Sequence, residues 1–405
     1  MRLSNTVKKN LGIVATVLLF AATAFFLNWG GYTASVNTVL SQKKSEEPVR
    51  KTSTDVNVAD VEIAGKILYV KEKKLMVLEP TSLSSTELVS QPVVEHPGIL
   101  TDGRLYFWEQ EEGRYQWLYI QNEDTFDKYL IPLERNDGSI GVMTPPVVAS
   151  NGGFVIFTSD RDATDNYYRR ALYRYDLQTY DLAKLTDSKV MTVYEPFISP
   201  DSSFIGFTYQ NIEANKGANP KALGIIVDST KTINLYPKVI VTNVSLAFTP
   251  NSKQILFTGT TGISVFDITK GKVMAEVSGG IFRAVSLSGH VAAESSEVSQ
   301  PLSFIDECWD TEELEVLPQS SGIEIYSFDG EEIEKQSTFI SSDYLVTLPV
   351  DKAHFQFSPD GKLVMVDFKD EDHCQWSKGI LDNEKKEIRP LEEVQGGSAF
   401  WVSGK

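Results

Sequence analysis

Three stretches of this chain are variations on one phrase: "FISPDSSFIGFTY" from Phe197, "AFTPNSKQILFTG" from Ala247 and "FQFSPDGKLVMVDF" from Phe355. Each runs an apolar alternation into a turn and restarts a second apolar run at once. Proline presets φ for the first corner of a tight turn, and Asn, Asp, Ser or Gly accept the next one. Two strands joined this way form a hairpin, and a recurring hairpin marks a repeat architecture. The turn centres fall at Gly65, Asp102, Asn151, Asp201, Asn251, Gly289 and Asp360, with gaps of 37, 49, 50, 50, 38 and 71 residues.

Each unit continues alike. A strand such as "FVIFTS" or "ILFTG" follows the turn, then a connection of variable length. A third strand ends in a polar turn, as in "ALYRYDLQTY" and "GISVFDITKGK", and a fourth strand closes the unit. Four antiparallel strands in about 40–50 residues match a propeller blade. The expected fold is therefore all-β, a propeller of seven four-stranded blades, with six as the alternative. A ring must close, because an open sheet edge invites aggregation. The terminal "SAFWVSGK" reads as the opening strand of another unit, so residues 400–403 are expected to pair with the first blade near residues 61–70.

The same phrases resemble the Ser-Pro-Asp-Gly-Lys repeats of TolB-type, WD-like β-propellers. "FTSDRDATDNYYRRALYRYDL", from Phe157, resembles the Ser-Asp-Arg-Asp-Gly stretch and the Leu-Tyr-x-x-Asp ending of a TolB blade, with Ala163 where Gly is usual. The resemblance covers roughly residues 144–270 and 344–392. It implies an exported propeller, commonly a protein-binding platform. The same repeats also form the gating propeller of prolyl oligopeptidase-like enzymes. TolB places a small α/β domain before its propeller, whereas only a tether is expected here, so its particular envelope role is not carried over.

The N-terminus reads differently. A basic start with Arg2, Lys8 and Lys9 precedes seventeen uncharged residues, Leu11 to Leu27, and then Asn28, Trp29 and Tyr32. A helix of that length, at about 1.5 Å per residue, roughly spans a bilayer with its aromatic edge. The positive-inside rule places the body on the extracytoplasmic side. Ala22-Thr23-Ala24 offers the rival reading, a signal cleavage site. The expected organisation is an anchor or signal segment over residues 1–34, a flexible tether over 35–55 and a propeller over 56–405, attached to the cytoplasmic membrane through the N-terminal helix or released after cleavage.

The formal net charge is −17, and the three early cations make the remainder still more negative. Such a body repels phosphate backbones, which disfavours nucleic acid, and it is repelled by anionic lipid surfaces. From Ala284 to Glu334 there is no Lys or Arg. An acidic insertion at about residues 294–320 either recruits a basic partner or is a solvated loop.

No catalytic constellation is legible. There is no Gly-x-Ser-x-Gly elbow for a serine hydrolase, and the four histidines have no metal-ligand spacing. Asp370, Asp372, His373 and Cys374 fit a solvated hairpin better than a coordination sphere. Asp160, Asp162 and Asp165 lack the twelfth-position Glu of an EF-hand loop. No cofactor or metal is expected. Cys308 and Cys374 lie in the last two blades and form either a disulfide or two separate buried thiols. The candidate partner-binding residues are Tyr167, Tyr168, Arg169 and Arg170, because aromatic and Arg side chains in a long rim loop are the types that anchor interfaces. The expectation is a non-enzymatic interaction scaffold in the cell envelope. The alternative is an enzyme or small-ligand binder working in the central channel.

Overall fold

The computed structural model describes residues 52–54, 63–89, 95–111, 114–123, 125–132, 146–162, 169–212, 220–242, 245–286, 288–301, 319–340, 345–347, 357–369, 376–392, 394 and 399–402. These residues contain no helix, and their strands form seven antiparallel sheets. In chain order the blades cover 67–89, 95–130, 147–184, 191–241, 246–278, 281–339 and 345–390. Within each sheet consecutive strands are neighbours, apart from one strand added to blade 1 and one to blade 2, and the first strands of blades 3, 4, 5 and 6 touch in turn. Those first strands therefore ring the central channel. Seven blades are present, and the six-blade alternative is set aside.

The ring closes on its C-terminus. Ala399–Trp401 supplies the innermost strand of blade 1, pairing Trp401 with Ile67, Phe400 with Leu68 and Ala399 with Tyr69. Burial explains why this closure holds. Seven hydrophobic clusters occur, each between two neighbouring blades. One joins Leu68, Phe107, Phe126 and Phe400 of blades 1 and 2, another joins Tyr69, Met365, Ile380 and Trp401 of blades 7 and 1. A blade is thus sandwiched by two cores. Its middle strands are buried on both faces, as Phe154–Ser159 is throughout, so they read as apolar runs and not as alternation.

The repeated phrase has one geometry. In blade 4 the Ser199 hydroxyl donates to Asp201 Oδ1 at 2.6 Å and accepts from the Phe204 amide at 2.9 Å. The Ser202 amide donates to the Ser199 carbonyl at 2.8 Å. The same bonds recur around Thr249 and Asn251, and around Ser358 and Asp360. The position after the turn centre is left-handed at Gly103, Gly152, Ser202, Ser252 and Gly361, and in blades 1 and 6 the centre itself is, at Gly65 and Gly289; all seven have φ between 59° and 90°. The turns of Gly65, Gly103, Gly152 and Gly289 lack the proline and keep the same conformation.

Two expectations need correction. The tether boundary at residue 55 is too late: Thr52–Thr54 is a fifth strand on the outer edge of blade 2, pairing Thr52 with Lys128 and Thr54 with Phe126. An outermost strand leaves backbone groups unpaired, and a β-branched segment fits such an edge. The insertion is also narrower than expected. His290–Pro301 and Gln319–Phe328 extend as a paired hairpin, leaving 302–318 outside the described residues. The expected anchor, residues 1–34, also lies outside them. Among the described residues no helix is long and apolar enough to cross a membrane.

Candidate functional site

The strand order sorts the connections onto two ends of the ring. First-to-second and third-to-fourth turns lie at one end, here called the turn end. Second-to-third connections and blade-to-blade crossings lie at the other, the loop end. At the turn end the first-to-second turns of blades 2 to 6 and the third-to-fourth turns are short, whereas the first-to-second connection of blade 7 runs from 348 to 362, of which 348–356 lie outside the described residues. The loop end carries the long connections of blade 3 (160–170), blade 4 (212–220), blade 6 (302–318) and blade 7 (370–376). Every candidate partner loop is therefore presented on one end of the ring.

Tyr167 and Tyr168 lie outside the described residues. Arg169 and Arg170 are half-buried just before the third strand of blade 3, Ala171–Asp176. Arg170 is turned towards blade 4. Its carbonyl accepts from the Val193 amide at 3.0 Å, and its guanidinium carbon stands 5.6 Å from the Tyr194 ring centre. Lys221 Nζ lies 4.8 Å from the same ring and 2.5 Å from Glu195 Oε1. The Thr208 hydroxyl donates to the other Glu195 oxygen, and the Tyr194 hydroxyl donates to Gln210 Oε1 at 3.0 Å. Burial raises the Tyr194 phenol, with Arg170 pulling partly against it, so the hydroxyl stays a neutral donor at pH 7.

Glu195 owes its position to a bulge in the first strand of blade 4, Met191–Ile198. The register jumps between Tyr194 and Phe197, and Glu195 has φ of 39°. Blade 2 repeats the device in its first strand, Glu95–Ile99, where the register jumps between Glu95 and Gly98 and His96 has φ of 53°. In both, the bulged residue precedes a buried proline, Pro196 or Pro97. A proline has no N–H to strand, so the ladder can break there without an orphaned donor, and the bulge re-aims the preceding side chain. A third shift, between Phe282 and Ala284 in blade 6, carries Arg283, whose guanidinium meets Glu294 at 2.8 Å. The expected candidates did not include His96, Glu195 or Arg283. For the first two a signal existed, since Pro97 and Pro196 each stand five residues before their turn centres; Arg283 has no such proline.

Two other carboxylates are engaged within their blades. Asp162 accepts from the Tyr173 hydroxyl at 2.7 Å and pairs with Lys184 at 3.1 Å. Glu324 accepts from Lys335 at 2.5 Å, from Ser295 at 3.1 Å and from Tyr326. Among the described residues no group of three His, Cys, Asp or Glu is placed to hold a metal ion. Asp165, Asp370, Asp372, His373, Cys308 and Cys374 lie outside them. By chain position the two cysteines belong to the second-to-third connections of blades 6 and 7. Paired charges around an aromatic ring can recognise a surface; they present no aligned nucleophile and base.

Fold and repeat together define the class: a seven-bladed β-propeller of four-stranded blades. No protein-family model matches the chain, and no curated protein matches it by sequence. Solved structures share its fold. Puromycin hydrolase is 11% identical with a TM-score of 0.50, over 90% of this chain and 55% of that one. The tricorn protease is 14% identical with a TM-score of 0.49, over 89% of this chain and 36% of that one. TolB from Acinetobacter baumannii is 14% identical with a TM-score of 0.43, over 84% of this chain and 82% of that one. This chain thus spans about a third of the tricorn protease and about half of puromycin hydrolase. The likenesses concern the fold alone.

Proposed function

We propose that this protein is a membrane-anchored, extracytoplasmic scaffold that binds a protein partner through the loop end of its propeller. The observation that carries the reading is the collection of long connections from blades 3, 4, 6 and 7 on one end. Loops at the end of a rigid scaffold can vary without disturbing the blades, and recognition concentrates there. The basic-then-apolar N-terminus supports export and anchoring. Crosslinking in the native envelope, followed by identification of the adduct, tests this. A protein adduct that depends on the loop end is the expected result. Turnover of a small substrate with no protein partner would replace the scaffold by the second reading.

That second reading is ligand binding at the channel. One feature favours it: the bulges that set half-buried His96 and Glu195 on innermost strands, in backbone conformations a non-glycine residue rarely adopts. The scaffold is preferred because Glu195 is already held by Lys221 and Thr208.

A further inference from the structure

The three-residue strand on the edge of blade 2 fixes a direction. The fourth strand of that blade, Thr125–Leu130, runs from the turn end to the loop end. Thr52–Thr54 runs antiparallel to it, with Thr54 beside Phe126 and Thr52 beside Lys128. The chain therefore climbs the rim from the loop end towards the turn end. Thr52 stands on the loop-end side of this edge. The apolar segment that would enter the bilayer stops at Leu27. If residues 28–51 act as a flexible chain, their mean span is roughly 25–30 Å.

We infer that the loop end is turned towards the membrane, and that its occupant is the extracytoplasmic part of an integral membrane protein with apolar side chains to offer. This rests on the anchoring proposed above and deepens it. The exposed large hydrophobics support it. Val190 immediately precedes the first strand of blade 4, Ile340 follows the last strand of blade 6, Ile333–Phe339, and Trp376 precedes the third strand of blade 7, Ser377–Asp382; all three are exposed and at the loop end. Lys369 Nζ lies 5.2 Å over the Trp376 ring. Two other large hydrophobics are exposed among the described residues: Leu83, in the third-to-fourth turn of blade 1 at the turn end, and Met274, near the turn-end start of the fourth strand of blade 5, Lys272–Ser278. A lipid surface is the weaker occupant, because a body this acidic is repelled by anionic headgroups.

The test uses the full chain. In a Cys308→Ser, Cys374→Ser background, Val190→Cys and Leu83→Cys each carry a donor dye after reconstitution into phosphatidylcholine vesicles with headgroup-labelled acceptor lipid. The two ends are separated by about 20 Å, the length of a six-residue strand. Energy transfer is expected to be at least about twofold greater from position 190. Equal or reversed transfer overturns the orientation. Replacing Thr52, Ser53 and Thr54 together with proline should abolish the difference, because the edge pairing is lost; an unchanged difference would show that the strand does not set the orientation. In native membranes, with both cysteines intact, a photo-crosslinker in place of Trp376 should capture an integral membrane protein, and one in place of Leu83 should not. Adducts to lipid alone overturn the occupant. A chain that fails to float with vesicles instead overturns the anchoring on which the inference rests.

Discussion

Phe197 and Gly206 face each other across the first two strands of blade 4, so closely that a Cβ on the glycine would stand 2.2 Å from the ring. Blade 2 uses the same pairing with the roles exchanged: Gly98 faces Tyr106, again at 2.2 Å. Each inner hairpin thus accommodates one aromatic ring by leaving out one side chain. The Phe197 ring also lies 4.9 Å from Phe248 in blade 5, so it cannot swing aside freely. Gly206→Ala is expected to destabilise the protein by about 1–3 kcal/mol through overpacking. A lowered urea midpoint with an unchanged slope checks this.

Ser202 shows the opposite compromise. Its φ of 60° suits glycine, yet its hydroxyl lies 2.8 Å from the Ser150 hydroxyl in the turn of blade 3. The Ser252 hydroxyl similarly accepts from the Asp201 amide at 3.2 Å. Serine at this turn position therefore ties neighbouring blades. Ser202→Ala keeps the left-handed backbone and loses the bond, and should cost about 1 kcal/mol. Ser202→Gly relieves the backbone as it loses the bond, and should fall closer to the native protein. Denaturation midpoints that rank Gly below Ala would contradict this account.

Trp401 is nearly fully buried between blades 7 and 1, in the strand that closes the ring. Trp401→Ala is expected to cost about 3–5 kcal/mol. Limited proteolysis should then cut first near the two chain ends of blade 1, where the ring is held by three paired residues on each side.

Glu324 predicts an acid dependence. Burial pushes its carboxyl up, but hydrogen bonds from Lys335 and Tyr326 and the Lys335 charge outweigh this, leaving it below its ordinary value of 4.5. A carboxyl lowered by folding contributes stability that is fully present above its unfolded value and lost as pH falls through the folded one. Glu324→Gln should therefore be less stable than the native protein at pH 7, and that deficit should shrink as pH falls below about 4.5. Unfolding free energies measured from pH 7 to 3 give the comparison; a deficit independent of pH would remove Glu324 from the acid response.

The loop of blade 3 is tested through binding. Replacing Tyr167, Tyr168 and Arg169 with Ala should weaken binding of the captured partner by at least about thirtyfold, the value of a 2 kcal/mol hot spot. Arg170 is excluded from that set because its guanidinium also packs over Tyr194 of blade 4. Full binding by the triple variant, with its melting temperature unchanged, would move the contact to another loop of the same end.

The sequence by itself determined the blade. Turn chemistry is local: Ser199, Pro200, Asp201 and Ser202 satisfy one another's hydrogen bonds within a few residues, so the phrase, its period and the blade count were legible, as was the closing strand. Tertiary structure alone decided what joins one blade to the next. The bulges at His96 and Glu195, the Ser150–Ser202 tie, and the exchange of aromatic and glycine between blades 2 and 4 depend on residues about 10 to 50 positions apart that meet only when the strands pair and the ring closes. The rim strand Thr52–Thr54 is the sharpest case. Three polar residues carry no apolar pattern to announce a strand, and they become one because the edge of blade 2 leaves its backbone groups unpaired.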